Sequence, residues 1–228
     1  MLCVVAATVG AIQFLWQMRE KIAGWAGLLG VVFFVGEALI GGSQFENYSH
    51  ARQFISETYA SGTPWSDVLR FGGVLPAGVL FAVFAFLSAS VFPLPRAGSI
   101  SFIGFGVFYG LGTVATAFFP CDFGCDPGQA DPTLAHILHF ASGTLTYVFT
   151  PFALMLIGSA AKSWPNTAVL WKTVLVCGVI MLIGVAVLFL MPVDGLLGLN
   201  QRIIEGAALL IIVRCSFHLL RMRTSSNN

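Results

Sequence analysis

Six apolar stretches, Ile22 to Ser43, Phe71 to Phe92, Ala97 to Phe119, Leu134 to Ala160, Ala168 to Met191 and Ile203 to Leu220, limit what this chain can become. Each is near or above the roughly 20 residues that a helix needs to cross a hydrocarbon core about 30 Å thick. Inside that core every backbone N–H and C=O must bond within the protein, so only helices and closed barrels can span it. Barrel strands alternate apolar and polar residues, and these stretches do not. The expected fold is an all-α integral membrane bundle of six transmembrane helices. With 57% hydrophobic and 9% charged residues, the chain lies far from the balance of a soluble domain. A net charge of +1 with no block of like charge excludes nucleic acid as the natural partner.

The basic residues set the orientation. If the first span starts inside, Arg19, Lys21, Arg96, Lys162, Lys172, Arg214, Arg221 and Arg223 lie on the cytoplasmic side, against Arg52, Arg70 and Arg202 outside. That division follows the positive-inside rule and places both termini in the cytoplasm, with Met18 as the start of the functional chain. Glu46, Glu57, Asp67, Asp122, Asp126, Asp131 and Asp194 then fall in outer loops, and Glu205 at the outer end of the last helix. Residues 1–17, "MLCVVAATVGAIQFLWQ", are apolar and joined to the first span by "MREK". They read as an extension that contributes little, an interfacial helix or a seventh span. They lack the basic n-region and cleavage site of a signal peptide. Residues 18–223 form one six-span domain and 224–228 a polar tail, with "PLPRAG" and "KSWPNT" as helix-ending connections.

Two outer segments carry the chemistry. "FENYSHARQFISETYASGTPWSDVLRF" is long for a helix connection, and such loops are functional or disordered. Its aromatic residues, Tyr48 among them, argue for order by packing on the bundle or at the headgroup level, which would hold Ser49, His50, Ser56 and Glu57 over the bundle mouth; alternatively Ser56 and Glu57 only cap a short helix and His50 is solvated. The second segment, "FFPCDFGCDPGQADPTLAHILHF", gathers Cys121, Asp122, Cys125, His136 and His139. A C-x3-C-x10-H-x2-H spacing only approaches a zinc finger, and an outer loop is oxidising, so Cys121 and Cys125 are expected as a disulfide. His136 and His139, three apart, share a helical face. With Asp122 they make either a ligand set for a catalytic zinc with an open position, a metal-free acid–base pair, or a pair of interfacial histidines bonded to loop carbonyls.

Glu37 sits inside the first span, where an ionisable group is costly and is a functional hypothesis by default. Arg202 either pairs with Glu205 at the surface or holds a phosphate headgroup with its planar fork. Cys3, Cys177 and Cys215 read as inert packing, Gly106-x-x-x-Gly110 as a close helix contact, and Pro76 and Pro151 as kinks.

The succession "NYSHARQFISETYASGTPWSD", "FFPCDFG" with "LAHILHF", and "GLNQRIIEGAALL" resembles the bacterial membrane family called domain of unknown function 998. The resemblance runs from about Met18 to the last span and implies a multi-pass protein of the bacterial inner membrane. It rests on Ser56-Glu57 with Gly62 and Pro64, on Phe119-Pro120 with Asp122, on His136, and on Arg202 after Gly198; Cys121, Cys125 and His139 are less typical of it. In layout the chain is also similar to DRAM and GPI-anchor lipid-remodelling proteins and to membrane hydrolases of the ceramidase and adiponectin-receptor type. Two functions follow as expectations. The first is a hydrolase or transferase acting on a lipid or lipid-linked substrate at the outer leaflet. Asp122, His136, His139, Ser56 and Glu57 would be catalytic, and Tyr48, His50, Arg202 and Glu37 would bind substrate. The second is a lipid-binding or transport-assisting protein without catalysis.

Overall fold

The computed structural model describes residues 2–93, 95–162 and 168–221, the side chains of 2–13 and 168 excepted. The expectations for the Cys3 side chain, Arg223, the tail at 224–228 and most of "KSWPNT" lie outside the described residues. No strand occurs among the described residues, and six of their helices are long and apolar enough to cross a membrane. We label them α1 (Leu2–Ile40), α2 (Ser66–Val91), α3 (Arg96–Phe118), α4 (Leu134–Ala161), α5 (Ala168–Leu190) and α6 (Leu197–Arg221). The protein is a multi-pass, all-α membrane bundle. Its helices pack in chain order, each on the next, and α6 returns to pack on α1, so the six close into a ring.

α1 runs through Met18–Lys21 without a break, because Met, Arg, Glu and Lys are all good helix formers. Residues 2–17 therefore continue the first span's helix and do not turn back as a separate seventh span. At 1.5 Å per residue the whole helix is about 58 Å long, nearly twice a hydrocarbon core.

Buried aromatic and aliphatic side chains fill the bundle, among them Phe81, Tyr109, Leu154, Met181 and Ile211 from α2 to α6. α2 and α3 approach until their backbones touch. A Cβ on Gly110 would lie 2.6 Å from the Ala82 nitrogen, and one on Gly78 2.7 Å from the Val114 nitrogen. Small residues allow this crossing, as the Gly106-x-x-x-Gly110 spacing suggests.

Both helices also contain a π turn, Arg70–Val74 in α2 and Gly106–Leu111 in α3. The first has a local cause: Pro76 has no N–H for the carbonyl of Gly72, and one turn of wider bonding precedes it. In α3, hydroxyl groups bond carbonyls within the π turn. Thr113 donates to the Tyr109 carbonyl at 2.7 Å, and Thr146 of α4 donates to that of Phe108 at 2.6 Å. Pro151 is carried inside α4, which continues past it to Ala161.

Candidate functional site

At one end of the bundle, residues 41–65 fold over the helices as a cap. Short 3-10 turns at Gly41–Gln44 and Ile55–Tyr59 give it shape, and the left-handed turn at Gly62 (φ +84°) reverses the chain toward α2. Gln44 holds the two ends of the cap together. Its amide nitrogen donates to the carbonyls of Gly41 (2.7 Å) and Thr58 (2.8 Å), and its oxygen accepts from the Trp65 N–H at 2.9 Å.

The start of α6 anchors the cap. The N–H groups of Gly198 and Leu199, which no helical carbonyl can reach, donate to the carbonyls of Arg52 (3.3 Å) and Ala51 (2.9 Å). A Cβ at Gly198 would sit 2.1 Å from the Gln53 carbonyl oxygen, so the close approach depends on glycine. Arg202 completes the anchor: Nη1 donates to the carbonyls of His50, Gln53 and Gly198 at 2.8, 2.8 and 3.0 Å, and Nη2 donates to the Tyr48 hydroxyl at 2.7 Å. The fork expected to take a phosphate is thus bonded to the cap, and Arg202 forms no ion pair with Glu205.

Glu57 caps the second 3-10 turn, accepting from the Phe54 N–H at 2.8 Å and from Gln53 at 3.1 Å. Burial pushes its carboxyl above the ordinary range, against those two bonds and the charge of Arg202. Ser56 is buried. His50 is exposed, and its ring stands edge-on to Tyr48 with centroids 5.0 Å apart. The hydroxyl of Tyr48 donates to the Phe54 carbonyl at 3.1 Å.

The loop between α3 and α4 is braced by Asp122. Its carboxylate accepts from the Thr133 N–H (2.9 Å), the Thr133 hydroxyl (2.7 Å) and Gln129 (3.0 Å). The Thr133 bonds, backbone first, hold this carboxyl below the usual aspartate range. The Asp122 N–H donates to His136 Nδ1 at 3.0 Å, and the same nitrogen lies 3.6 Å from Asp122 Oδ2. His139 Nδ1 faces the Phe119 carbonyl at 2.9 Å.

Cys121 and Cys125 are buried and placed for a disulfide, with Cα atoms 5.2 Å apart. Gly124 and Cys125, both at positive φ, turn the chain between them. Among the described residues the set of ligand-type side chains that converges within 4.8 Å is Cys121, Cys125 and His139. It is not the expected set of Asp122, His136 and His139. The reason is local: His136 and His139 share a helical face, but each ring is drawn to a different stretch of the loop.

Beneath the cap lies a second polar centre. Glu205 is buried in α6, and its two oxygens accept from the hydroxyls of Tyr109 (2.7 Å) and Tyr147 (2.8 Å). Gln201 donates to the Tyr147 hydroxyl at 3.0 Å and accepts from the Ile55 N–H of the cap at 2.6 Å. Glu37 of α1 is 4% exposed. One of its oxygens accepts from the Thr58 hydroxyl at 2.7 Å, and Oε2 has no partner. Tyr59 of the cap is buried as well. Burial, then Glu37, and more weakly Glu205 push its hydroxyl well above the ordinary tyrosine value, against a hydrogen bond with Thr116.

A family model described as "Protein of unknown function (DUF998)" matches residues 28–218, most of the chain. The chain belongs to the DUF998 family. No curated protein and no solved structure matches it. The matched region of this DUF998 protein contains both polar centres. Asp122 meets His136, and Glu37 enters the buried centre as an intramembrane acid. Glu205, Tyr109, Tyr147 and Gln201 were not expected in a site. Their signal was a glutamate within an apolar run, together with single tyrosines in two other spans.

Proposed function

We propose that this DUF998 protein holds the polar part of a lipid or lipid-linked molecule at the capped end of its bundle, as a binding or transport-assisting protein. The observation that carries this reading is a run of polar contacts from the cap into the bundle: Ile55 to Gln201, Tyr147, Glu205 and Tyr109. Glu205 lies eight residues into α6, about 12 Å along its axis. Polar groups spread along such a path suit the holding of a headgroup and its attached chain better than chemistry at one point.

The bonding of Asp122 and His136 supports the same choice. An amide N–H already takes the lone pair on His136 Nδ1, which puts the ring proton on Nε2, and the Asp122 carboxylate accepts three bonds from its own loop. In an acid–base dyad the carboxylate would instead accept from the imidazole N–H and orient it. The hydrolase or transferase reading keeps one favourable observation, the 3.6 Å approach of the two side chains.

Mass spectrometry of lipid extracted from detergent-purified protein tests the proposal, alongside lipid profiles of deletion and wild-type cells. A lipid-linked species should co-purify, and a folded His136→Gln variant should restore the wild-type profile. If nothing co-purifies above detergent background and His136→Gln reproduces the deletion, the protein is a catalyst.

We take 18–223 as the working unit in a bacterial inner membrane, with both its ends cytoplasmic and the cap outside. The division of basic residues supports this, and an oxidising outer compartment would join Cys121 to Cys125. Reporter fusions after Gly128 should therefore be inactive for a cytoplasmic reporter, and both thiols should resist alkylation until reduced. Cytoplasmic reporter activity with two freely alkylated thiols would reverse the orientation.

A further inference from the structure

Glu37 of α1 and Glu205 of α6 are both buried, and the structure treats them differently. Both oxygens of Glu205 accept tyrosine hydroxyls, bonds that favour an ionised carboxylate. Glu37 has one hydroxyl partner, Thr58, whose single proton is shared between it and the Ile55 carbonyl, and its other oxygen is buried without a partner. A bare carboxylate charge is costly to bury, and a second negative charge close by raises the cost.

The charged and titratable groups acting on Glu37 are Arg202 and Glu205 of α6, and Tyr48 and Tyr59 of the cap. From the π turn of α2, Arg70 is engaged elsewhere, with Asp67 and the Ala117 carbonyl. The remainder of α2, Leu75–Val91, contains no ionisable residue. Arg202, the cation of the set, is bonded to cap carbonyls and Tyr48.

A second observation sets this pair apart from a chance cluster of acids. The two π turns fall on the two carboxylates. Gly73, in the π turn of α2, lies so close to Glu37 that a Cβ there would be 2.7 Å from the Glu37 Cβ. Tyr109, in the π turn of α3, is the residue that donates to Glu205. Single π turns inside α-helices are frequent at functional sites.

We propose that Glu37 and Glu205 form a cation-for-proton exchange site within the membrane, in which Glu37 carries a proton and releases it when a monovalent cation reaches its unpartnered oxygen from the capped end. The exchange balances as one carboxylic acid plus one cation giving one carboxylate–cation pair plus one proton. Glu205, whose two oxygens already accept tyrosine hydroxyls, supplies the second carboxyl group of the site and gives up no proton in the exchange. The cation is either a free alkali ion or the ammonium group of a larger molecule, and the inference does not depend on the lipid reading.

The test uses the full chain in detergent at neutral pH and weak buffer, with proton release followed by a pH indicator as sodium chloride, potassium chloride or ethanolammonium chloride is added. Wild-type protein should release close to one proton per chain with at least one of these salts. Glu37→Gln should release none. Glu205→Gln should require a cation concentration at least ten times higher. Release with the alkali salts assigns a free ion, and release with ethanolammonium alone assigns an amine-bearing ligand. Thr58→Val, which removes the hydroxyl on Glu37 and leaves the acid, should keep the release and guards against loss through misfolding. Release undiminished in Glu37→Gln, or absent from folded wild-type protein with all three salts, overturns the proposal.

Discussion

Arg202→Met will detach the cap while leaving the six helices assembled. The guanidinium makes three hydrogen bonds that join α6 to residues 48–53, and hydrogen bonds from charged groups contribute about 1.5–3 kcal/mol each before the losses overlap. A net destabilisation of the cap on the order of 3 kcal/mol follows, a change of about 100-fold or more in the population of cap-open molecules. Limited proteolysis in detergent should show new cleavage between residues 45 and 65 at protease levels that leave the wild type intact. Arg202→Lys should recover only part of the protection, because an ammonium cannot reproduce the planar fork that reaches three carbonyls and a hydroxyl. Equal resistance of Arg202→Met and wild type would mean that the N–H groups of Gly198 and Leu199 and the side chain of Gln201 suffice to hold the cap.

Gly110→Val strikes the bundle itself. The added Cβ meets the nitrogen and Cα of Ala82 at 2.6 and 2.7 Å, and backbone atoms cannot swing aside as a side-chain tip can. Overpacking of a core ordinarily costs about 1–3 kcal/mol, and a backbone collision lies at or beyond the top of that range. The expected result is loss of the monodisperse peak in size-exclusion chromatography. Gly104→Val is the matched control, since a Cβ there meets nothing within 4 Å, and it should purify as the wild type does. A monodisperse Gly110→Val protein of normal yield would show that α2 and α3 can separate without loss of the fold.

The two predictions touch different levels of what the residues reveal. The spans were legible because hydrocarbon leaves so few backbone solutions, and the close crossing of α2 and α3 because two glycines four apart permit it. Tertiary partners were not legible. Asp122 and His136 could be expected near each other from their positions at adjoining helix ends. Nothing in the spacing said that the histidine would accept from a backbone amide, or that His139 would turn toward the cysteines. Glu205 was misplaced for a related reason: Arg202 one turn away offered a local ion pair, whereas the fold bonds the arginine to the cap and gives the glutamate two tyrosines from distant helices. A single sequence shows which groups are expensive to bury but not which partners meet them.

The ring's closure of α6 onto α1 carries a consequence for the order of assembly. Cap residues 48–55 leave the ribosome early, while their partners Gly198, Leu199, Gln201 and Arg202 come roughly 150 residues later. At about 5–20 residues per second this delay is roughly 8–30 s. Throughout that interval Thr58 and Gly73 are already available to Glu37, but the cap that carries Thr58 has no anchor on α6. The nascent chain must therefore wait with a loose cap at the end of its first helix, and the final helix to insert is the one that fastens it.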